Sequence, residues 1–440
     1  MPRDLTDLME RATSFAPPEP YDAADITRLA AGHLRRRRST IAGGVALALV
    51  VAGVVGYGVT RSGDATPEPA VKLRYGQQLK LTDAVPATSV SGFRELHYAI
   101  KPVDQQPQTR RQFERGLPSP AYAEYRGLDA DGRVIVVRRA VGERSPIRSD
   151  VLAGPSSSSS MATTPPPPAR NGTHPNYWIP RFTGDGRLLW TPYLPVVGSG
   201  YVGARITDLA GSDNRSLVFD HSLASPPSGG SNAWVSGDRL WFTYPQFSFK
   251  HLKAAPTVAL HSVPLDDPAR LSTTVQHVVG AAVSDGTIGW VTREGRGYLG
   301  SAGGRISSFA LPLDPGCTTY PWANQVGQFA VTQGLLAFAE ACGAAHARTF
   351  QPVVVDGAGR LVLHVSTPSS GDYSLSGSSF AFLGFDGPSG HRAATYRVDL
   401  RDGAMALLGG EHSSSGSPEV AGRYILWHDS DSYHVGEFGP

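Results

Sequence analysis

The sequence predicts an all-β fold, a β-propeller of six or seven blades, and three observations lead to it. Glycine (50 residues) and proline (35 residues) are abundant, which favours turns over long helices. No amphipathic helical run of ordinary length follows residue 60. A turn glycine precedes an apolar strand, with an aromatic residue four or five positions on, in six units: Gly186 with Trp190, Gly237 with Trp241, Gly286 with Trp290, Gly334 with Phe338, Gly377 with Phe382 and Gly422 with Trp427. Spacings of 51, 49, 48, 43 and 45 residues between these glycines fit four-stranded blades.

Further strand pairs joined by tight turns lie before these units, at 121–137, and between their inner strands, at 350–365 and 394–408. Each unit therefore has about four strands, and six units follow residue 176. A weaker seventh unit combines Phe93–Ile100 with Ala121–Arg138, and we predict seven blades in preference to six. Because the last unit ends one strand short, we expect a strand within Leu73–Leu81 to complete it and close the ring. The aromatic residues of the repeat are expected to pack between blades.

The stretch 154–170 is rich in Ser and Pro, and a segment of this composition is not expected to contribute to a packed core. We interpret it as a mobile insertion between blades. The alternative is a linker, in which case 71–150 forms a separate small domain and the propeller has six blades.

The uncharged stretch Ile41–Val59 predicts one transmembrane helix, with bounds near 39–60. As a helix it measures roughly 28 Å, close to the thickness of the hydrocarbon core of a bilayer. Arg35–Arg38 precede it and only Arg61 follows closely, so the N-terminus is predicted in the cytoplasm and the C-terminal region outside. We interpret the segment as an uncleaved signal anchor. A cleaved signal peptide is the alternative, disfavoured by the long polar stretch before it and the lack of an Ala-x-Ala site after it.

The polar arm 1–38 is expected to be cytoplasmic, with short helical patterns over 4–13 and from Asp22. It resembles the cytoplasmic ends of actinobacterial membrane-anchored regulators, but it lacks the His and Cys zinc motif of many anti-sigma domains. Residues 61–74 are predicted to link the span to an extracytoplasmic region, 75–440. The net charge of +2 is spread evenly along the chain, which argues against a nucleic-acid partner.

The repeat units resemble the TolB-like and WD40-like propeller repeats of bacterial extracytoplasmic proteins, over roughly 75–440. TolB-like repeats favour Ser-Pro-Asp-Gly before the inner strand, whereas this chain has VSGDRLWF at 235–242, VSDGTIGW at 283–290 and VTQGLLAF at 331–338. The Trp-Asp dipeptide of WD40 repeats does not occur. The resemblance therefore implies a propeller that serves as a binding platform, with no more specific activity.

The chain has two cysteines, Cys317 and Cys342, and both follow the predicted span. Because an oxidised pair is stable outside the cytoplasm, we predict a disulfide between them. A two-cysteine metal site is disfavoured, since no CxxC spacing or paired His motif accompanies the pair. We predict no metal and no cofactor.

In a blade with strands a to d, the b-to-c and d-to-a connections emerge on one face of the ring, and here they are the longer ones. We expect the binding site and the disulfide on that face. Its aromatic and basic residues are the residue types that commonly anchor interfaces. The candidate binding residues are Tyr244, Lys250, His251, Tyr320, Trp322, Arg348 and Arg392.

These observations predict a membrane-anchored, extracytoplasmic β-propeller that binds a protein or glycan partner, as a sensor or envelope scaffold. The alternative is an anchored cell-surface hydrolase or lyase acting on glycans. The catalytic motifs GxSxG and HExxH and the P-loop do not occur in the sequence. The pairs Asp129 with Asp131 and Asp429 with Asp431 suggest calcium ligands or, more simply, turn residues.

Overall fold

A computed structural model describes eighteen stretches of the chain, all within one unit, Ala65–Pro440. They are 72–98, 121–140, 148–152, 154, 160–163, 178–183, 186–192, 203–209, 214–218, 233–246, 257–267, 270–319, 329–343, 349–367, 369–386, 392–409, 417–428 and 433–439. The arm predicted at 1–38, the transmembrane helix at 39–60 and most of the linker at 61–74 lie outside the described residues. Within the stretches above, no helix has both the length and the apolar character needed to cross a bilayer.

The described chain begins with three short strands and two turns of 3-10 helix. The strands are β1 (Gln77–Leu79), β2 (Val85–Pro86) and β3 (Arg94–Leu96), and the helical turns are Leu81–Asp83 and Ala87–Ser89. None of these strands pairs with another of the three, and each joins the outer edge of a different later sheet.

Three four-stranded antiparallel sheets follow, each built from consecutive strands. Blade 1 consists of β4 (Ala121–Leu128), β5 (Val134–Ala140), β6 (Arg148–Leu152) and β7 (Ser160–Thr163). Blade 2 consists of β8 (Trp178–Phe182), β9 (Leu188–Pro192), β10 (Gly203–Thr207) and β11 (Asn214–Val218). Blade 3 consists of β12 (Ala233–Ser236), β13 (Arg239–Gln246), β14 (Thr257–Pro264) and β15 (Ser272–Val278).

Blade 4 has a single innermost strand, whereas blade 5 has two short strands in that place. Blade 4 consists of β16 (Gly280–Ser284), β17 (Thr287–Val291), β18 (Arg296–Ser301) and β19 (Ile306–Ala310). Blade 5 consists of β20 (Thr318–Thr319), β21 (Ala330–Thr332), β22 (Leu335–Cys342), β23 (Thr349–Asp356) and β24 (Leu361–Val365). Both β20 and β21 pair with β22, so two short strands occupy the place of one inner strand. The parallel strand β1 covers the outer edge of β24.

The last two blades also take a strand from the beginning of the region. Blade 6 consists of β25 (Ser369–Ser376), β26 (Ser379–Asp386), β27 (Arg392–Asp399) and β28 (Met405–Leu407), with β2 parallel to β28. Blade 7 consists of β29 (Glu419–Ala421), β30 (Tyr424–His428) and β31 (Tyr433–Glu437), with β3 antiparallel to β31. The described residues therefore form seven sheets, and the prediction of a seven-bladed all-β propeller is confirmed.

Ring closure occurs between blade 7 and blade 1. Strand β4 contacts β8 of blade 2 on one side and β29 and β30 of blade 7 on the other. One apolar cluster joins the two ends of the ring, with Leu96 from β3, Val134 from β5 and Val435 from β31. The sheet at 121–163 is thus a blade of the ring, and the alternative of a separate small domain with a six-bladed propeller is wrong.

The strand that closes the ring was predicted incorrectly. We expected it within Leu73–Leu81, but Gln77–Leu79 pairs with blade 5, and Arg94–Leu96 completes blade 7. The strand within the predicted segment Phe93–Ile100 therefore pairs with blade 7 and not with the blade of Ala121–Arg138. Side-chain burial explains the choice, because Leu96 packs among Leu426 and Val435 and the Tyr98 hydroxyl donates to the carbonyl of Gly132 at 2.6 Å.

The stretch 154–170 is also only partly as expected. Its residues Ser160–Thr163 form β7, the outer strand of blade 1, paired with β6. The rest of the stretch, apart from Gly154, lies outside the described residues.

The glycine and aromatic repeat has the role that was predicted for it. All six glycines occupy the turn between the first two strands of a blade, and all six have positive φ, between 56° and 79°. Glycine adopts that conformation without steric cost. The six aromatic side chains lie on the second strand of each blade and are buried. Trp190 of blade 2, for example, packs against Ile135 and Val151 of blade 1.

Candidate functional site

Two of the seven candidate binding residues lie in described strands, at the face that bears the b-to-c and d-to-a connections. Tyr244 lies near the end of β13, and Arg392 begins β27, so both positions are at this face. Their side chains are not among those the structure describes. The other five candidates, Lys250, His251, Tyr320, Trp322 and Arg348, lie in connections outside the described residues, and their role stays a prediction.

The disulfide predicted between Cys317 and Cys342 is present on this face. The two sulfur atoms are bonded, and the Cα atoms are 4.3 Å apart. Cys317 belongs to the connection that follows blade 4, and Cys342 ends β22 of blade 5. The bond therefore ties a d-to-a connection to the start of a b-to-c connection.

The connection that carries Tyr320 and Trp322 runs between β20 and β21. Its ends are fixed beside one another, because Thr319 pairs with Glu340 and Ala330 pairs with Ala337, all along β22. Cys317 anchors the first of these ends covalently. The roots of this connection are therefore held by the sheet and by the disulfide together.

A polar cluster lies next to the disulfide, between blade 4 and blade 5. It combines Asp314 from the connection after blade 4 with Glu340 from β22 and His364 from β24. Glu340 is 1% exposed and His364 is 4% exposed, whereas 56% of the Asp314 side chain is exposed. The cluster is thus buried at its centre and open to solvent at one end.

Each polar atom at the centre of the cluster has a defined neighbour. Glu340 Oε2 accepts a hydrogen bond from the backbone N–H of Asp314 at 3.1 Å, and Glu340 Oε1 lies 3.2 Å from His364 Nε2. The other ring nitrogen, Nδ1, lies 2.8 Å from the side-chain oxygen of Gln78 on β1. The carboxamide of Gln351 on β23 lies 2.7 Å from Nε2. These contacts fix the orientation of the imidazole ring.

This cluster was not predicted from the sequence. Glu340 and His364 each interrupt an otherwise apolar strand, in LLAFAEAC and LVLHV, and a buried polar residue of this kind is an informative signal. Which residues face each other, however, depends on the pairing of β1 with β24. That pairing was not predicted, so Gln78 could not be placed beside His364.

A second unusual carboxylate lies on an innermost strand, away from the disulfide. Glu419, at the start of β29, is half-buried, and desolvation of its carboxyl raises its pKa to about 7. The charge of Arg181 on β8 and a hydrogen bond from the backbone N–H of Leu128 act in the opposite direction, and the charge of Asp129 adds to the rise. The Glu419 carboxyl is therefore half protonated near neutral pH.

Asp129 itself is used by a turn. Its Oδ1 accepts hydrogen bonds from the backbone N–H groups of Asp131 at 3.0 Å and Arg133 at 2.8 Å, and its Oδ2 pairs with the guanidinium of Arg133. The Asp356 carboxylate makes the same set of bonds in blade 5, with Arg360. Turn chemistry therefore accounts for Asp129 and Asp131. The other pair, Asp429 and Asp431, lies outside the described residues.

Comparison with known proteins does not assign this chain to a family. No protein-family model and no curated protein matches the sequence. Among solved structures, puromycin hydrolase is 15% identical with a TM-score of 0.44, over 69% of this chain and 47% of that one. The acylaminoacyl peptidase of Pyrococcus horikoshii is 10% identical with a TM-score of 0.46, over 73% and 52%. BamB of Moraxella catarrhalis is 10% identical with a TM-score of 0.36, over 72% and 83%. The chain spans about half the length of the two hydrolytic enzymes, and such distant likenesses carry no functional argument.

Proposed function

We propose that this chain is a membrane-anchored, extracytoplasmic binding propeller whose site is the face of the b-to-c and d-to-a connections. The observation that carries the proposal is the disulfide between Cys317 and Cys342 on that face. Disulfides persist in oxidising compartments and are rare in the cytoplasm. The apolar stretch at 41–59, preceded by Arg35–Arg38, supplies a matching anchor and orientation.

The disulfide also supports a binding role for its surroundings. Tyr320 and Trp322 follow Cys317 in one connection, and Arg348 ends the connection that begins after Cys342. Tying the roots of both connections together lowers the entropy that their ordering on a ligand costs. Aromatic and arginine side chains are the residue types that most often dominate binding energy. A protein or glycan partner fits this composition.

One observation favours the alternative, an anchored hydrolase or lyase acting on glycans. A carboxyl with a pKa of about 7 suits a general acid, and Glu419 has one on an innermost strand. Glycoside hydrolysis generally uses a second carboxylate facing the first. Asp129, the acid whose charge acts on Glu419, is held in its own turn by Arg133. We therefore favour binding over catalysis.

The test is crosslinking capture from intact cells with the full-length anchored protein. We expect one dominant protein or one glycan class in the eluate. Substitutions Trp322→Ala and Arg348→Ala should each reduce its recovery at least tenfold. Arg270→Ala is the matched control, because Arg270 is exposed on the opposite face, between β14 and β15. Equal capture by the Trp322, Arg348 and Arg270 variants would show that this face is not the binding site.

Loss of Glu419 separates the two candidate functions. Glu419→Gln should leave the captured partner unchanged if the propeller only binds. If the propeller is a hydrolase or lyase, the same variant should instead trap a glycan that the wild-type protein cleaves and releases. Trapping of that kind would favour the enzyme.

A further inference from the structure

We propose that the turn face of the propeller, which bears the a-to-b and c-to-d turns, lies against an anionic phospholipid surface around the point where the chain enters the ring. The inference rests on the proposed function, because it takes the predicted span at 41–59 as the anchor. The residues that would meet the lipid, here called the entry patch, are Lys72, Arg74, Tyr75, Arg360 and Arg401. On this proposal the candidate binding face points away from the membrane.

The direction of β1 shows where the chain enters the ring. Strand β1 runs parallel to β24, with Gln77 paired to Leu363 and Leu79 paired to Val365. Strand β24 follows the c-to-d turn of blade 5 and leads to the d-to-a connection, so β1 begins at the turn face. The described residues just before β1 therefore lie at the turn face, opposite the disulfide.

Hydrogen bonds hold this upstream stretch against two neighbouring blades. The backbone N–H of Gly76 donates to the carbonyl of Leu361 at 2.9 Å, and the backbone N–H of Arg74 donates to the carbonyl of Leu400 at 3.1 Å. The Arg74 guanidinium also donates to the carbonyl of Asp402 at 3.0 Å, in the c-to-d turn of blade 6. The point of entry is thus fixed by blades 5 and 6.

The length of chain between the predicted span and the ring keeps the turn face near the membrane. Residues 60–71 separate the span from Lys72, and twelve residues reach at most about 40 to 43 Å when fully extended. Strand β23 has eight residues and measures about 26 Å. A chain that had to pass along a blade to the other face would use more than half of its reach. The turn face is therefore the face that the anchor brings closest to lipid.

The turns at the point of entry expose cations and bury the carboxylates that pair with them. Arg360 donates to the Asp356 carboxylate, and 60% of the Arg360 side chain is exposed against 2% of that of Asp356. Arg401 donates to the Asp399 carboxylate, with 47% and 8% of the two side chains exposed. Each pair therefore presents its positive partner to the surroundings.

Lys72, Arg74 and Tyr75 complete the entry patch. Lys72 and Arg74 are exposed, and the exposed carboxylate of Asp402 offsets only one of the four positive charges. Tyr75 is 40% exposed, and the Arg360 guanidinium lies 4.4 Å from the centre of its ring and donates to its hydroxyl at 2.8 Å. Basic side chains beside a membrane anchor are attracted to anionic headgroups, and tyrosine is enriched at the membrane interface. The composition of the entry patch therefore fits an anionic lipid surface.

The test determines which face of the full-length protein meets lipid in liposomes of phosphatidylcholine, alone or mixed with phosphatidylglycerol. A fluorophore is attached at Ala358→Cys, exposed in the c-to-d turn of blade 5, or at Ser366→Cys, exposed after β24 at the opposite face. Cys317 and Cys342 are bonded to each other and do not react. A lipid with a spin label on its headgroup serves as the quencher. With phosphatidylglycerol present, we expect the label at 358 to be quenched about threefold more than the label at 366.

Charge reversal tests the role of the entry patch. Lys72→Glu with Arg74→Glu should lower quenching at 358 to the level seen with phosphatidylcholine alone, because the reversed charges repel the anionic headgroups. Arg293→Glu with Arg296→Glu is the matched control and should change nothing, since both arginines are exposed at the b-to-c connection of blade 4 on the opposite face. For the wild type, raising the salt to about 1 M should remove the effect of phosphatidylglycerol, because the screening length falls from about 8 Å to about 3 Å.

Three results would overturn the lipid contact. The first is equal quenching of the labels at 358 and 366. The second is quenching at 358 that responds neither to phosphatidylglycerol nor to the reversal at Lys72 and Arg74. The third is a label at 358 that no liposome quenches but that is shielded from an impermeant quencher on intact cells, which would assign the entry patch to an acidic protein or polymer. Partner capture that still depends on Trp322 and Arg348 would then leave the proposed binding function standing. Full-length protein that does not float with the liposomes would overturn the anchor, and with it both proposals.

Discussion

The carboxyl of Glu419 makes the stability of the propeller depend on pH in an unusual direction. Its pKa is about 7 in the folded protein, against an ordinary value of 4.5. The folded state therefore binds more protons than the unfolded state between pH 4.5 and 7, and stability falls as pH rises through this range. At 1.36 kcal/mol for each pKa unit, the loss is about 3 kcal/mol.

Replacement of Glu419 by Gln should remove this loss, because the amide has no charge to bury. We therefore compare the free energies of unfolding of the variant and the wild type at two pH values. Relative to the wild type, the variant should be about 3 kcal/mol more stable at pH 8 than it is at pH 4. Unfolding of roughly 370 residues has an entropy near 0.8 kcal/mol/K, so the corresponding difference in Tm is about 4 °C.

The assay is thermal unfolding of both proteins in buffers from pH 4 to pH 8, monitored by circular dichroism. Glu294→Gln is the control, since Glu294 is fully exposed and its pKa is lowered by hydrogen bonds from the Thr292 side chain and from its own backbone. That variant should keep the fall in Tm above pH 4.5. If Glu419→Gln and the wild type lose the same Tm between pH 4 and pH 8, the reasoning about the buried carboxyl is refuted.

Three other variants, one of them a double substitution, test the ring and its bonds, each by the midpoint of denaturant unfolding. The double variant Cys317→Ser with Cys342→Ser should lose roughly 3 to 4 kcal/mol of its free energy of unfolding, as expected for a disulfide that closes a loop of 25 residues. A loss below about 1 kcal/mol would contradict this. Leu96→Ala should lower the free energy of unfolding by about 2 to 4 kcal/mol, because Leu96 on the closing strand is only 7% exposed. Val85→Ala is its control, since Val85 on β2 is exposed. Arg397→Ala should lower the free energy of unfolding by about 3 kcal/mol, because the buried guanidinium lies 4.1 Å from the centre of the Phe438 ring and 3.6 Å from Asp399. An unchanged midpoint would show that these contacts contribute nothing.

The repeat was predictable because the residues that form each unit are close together in the sequence. A glycine with positive φ followed by a buried aromatic, as in Gly237 with Trp241, needs only a turn and a strand to be recognised. The same holds for the hairpin turns, where Asp356 and Arg360 bond within five residues. Local signals of this kind reveal six of the seven blades, and blade 1, at 121–163, lacks the same pair of glycine and aromatic residue.

The closing strand and the polar cluster were not predictable in the same way. Gln77–Leu79 and Arg94–Leu96 are both short segments that can add to a sheet edge, and their partners lie more than 280 residues away. Only side-chain burial against distant strands separates them, as it does for Leu96 beside Val435. His364 meets Gln78 for the same reason, through a pairing of distant strands.

The disulfide was predictable for a different reason. The predicted span placed Cys317 and Cys342 together on the side where an oxidised pair is stable, and the chain offers no other cysteine. The side of the membrane itself remains a proposal, because the anchor lies outside the described residues.

The most direct test of the account is labelling of the two cysteines on intact cells that express the full-length chain. The cells are treated with a membrane-impermeant maleimide polymer, before and after an impermeant phosphine reductant, and the protein is followed by gel mobility. The account predicts no shift before reduction and a shift of two labels after it, since Cys317 and Cys342 are bonded to each other and partly exposed. Labelling that requires lysis of the cells, or that occurs without reduction, would contradict it.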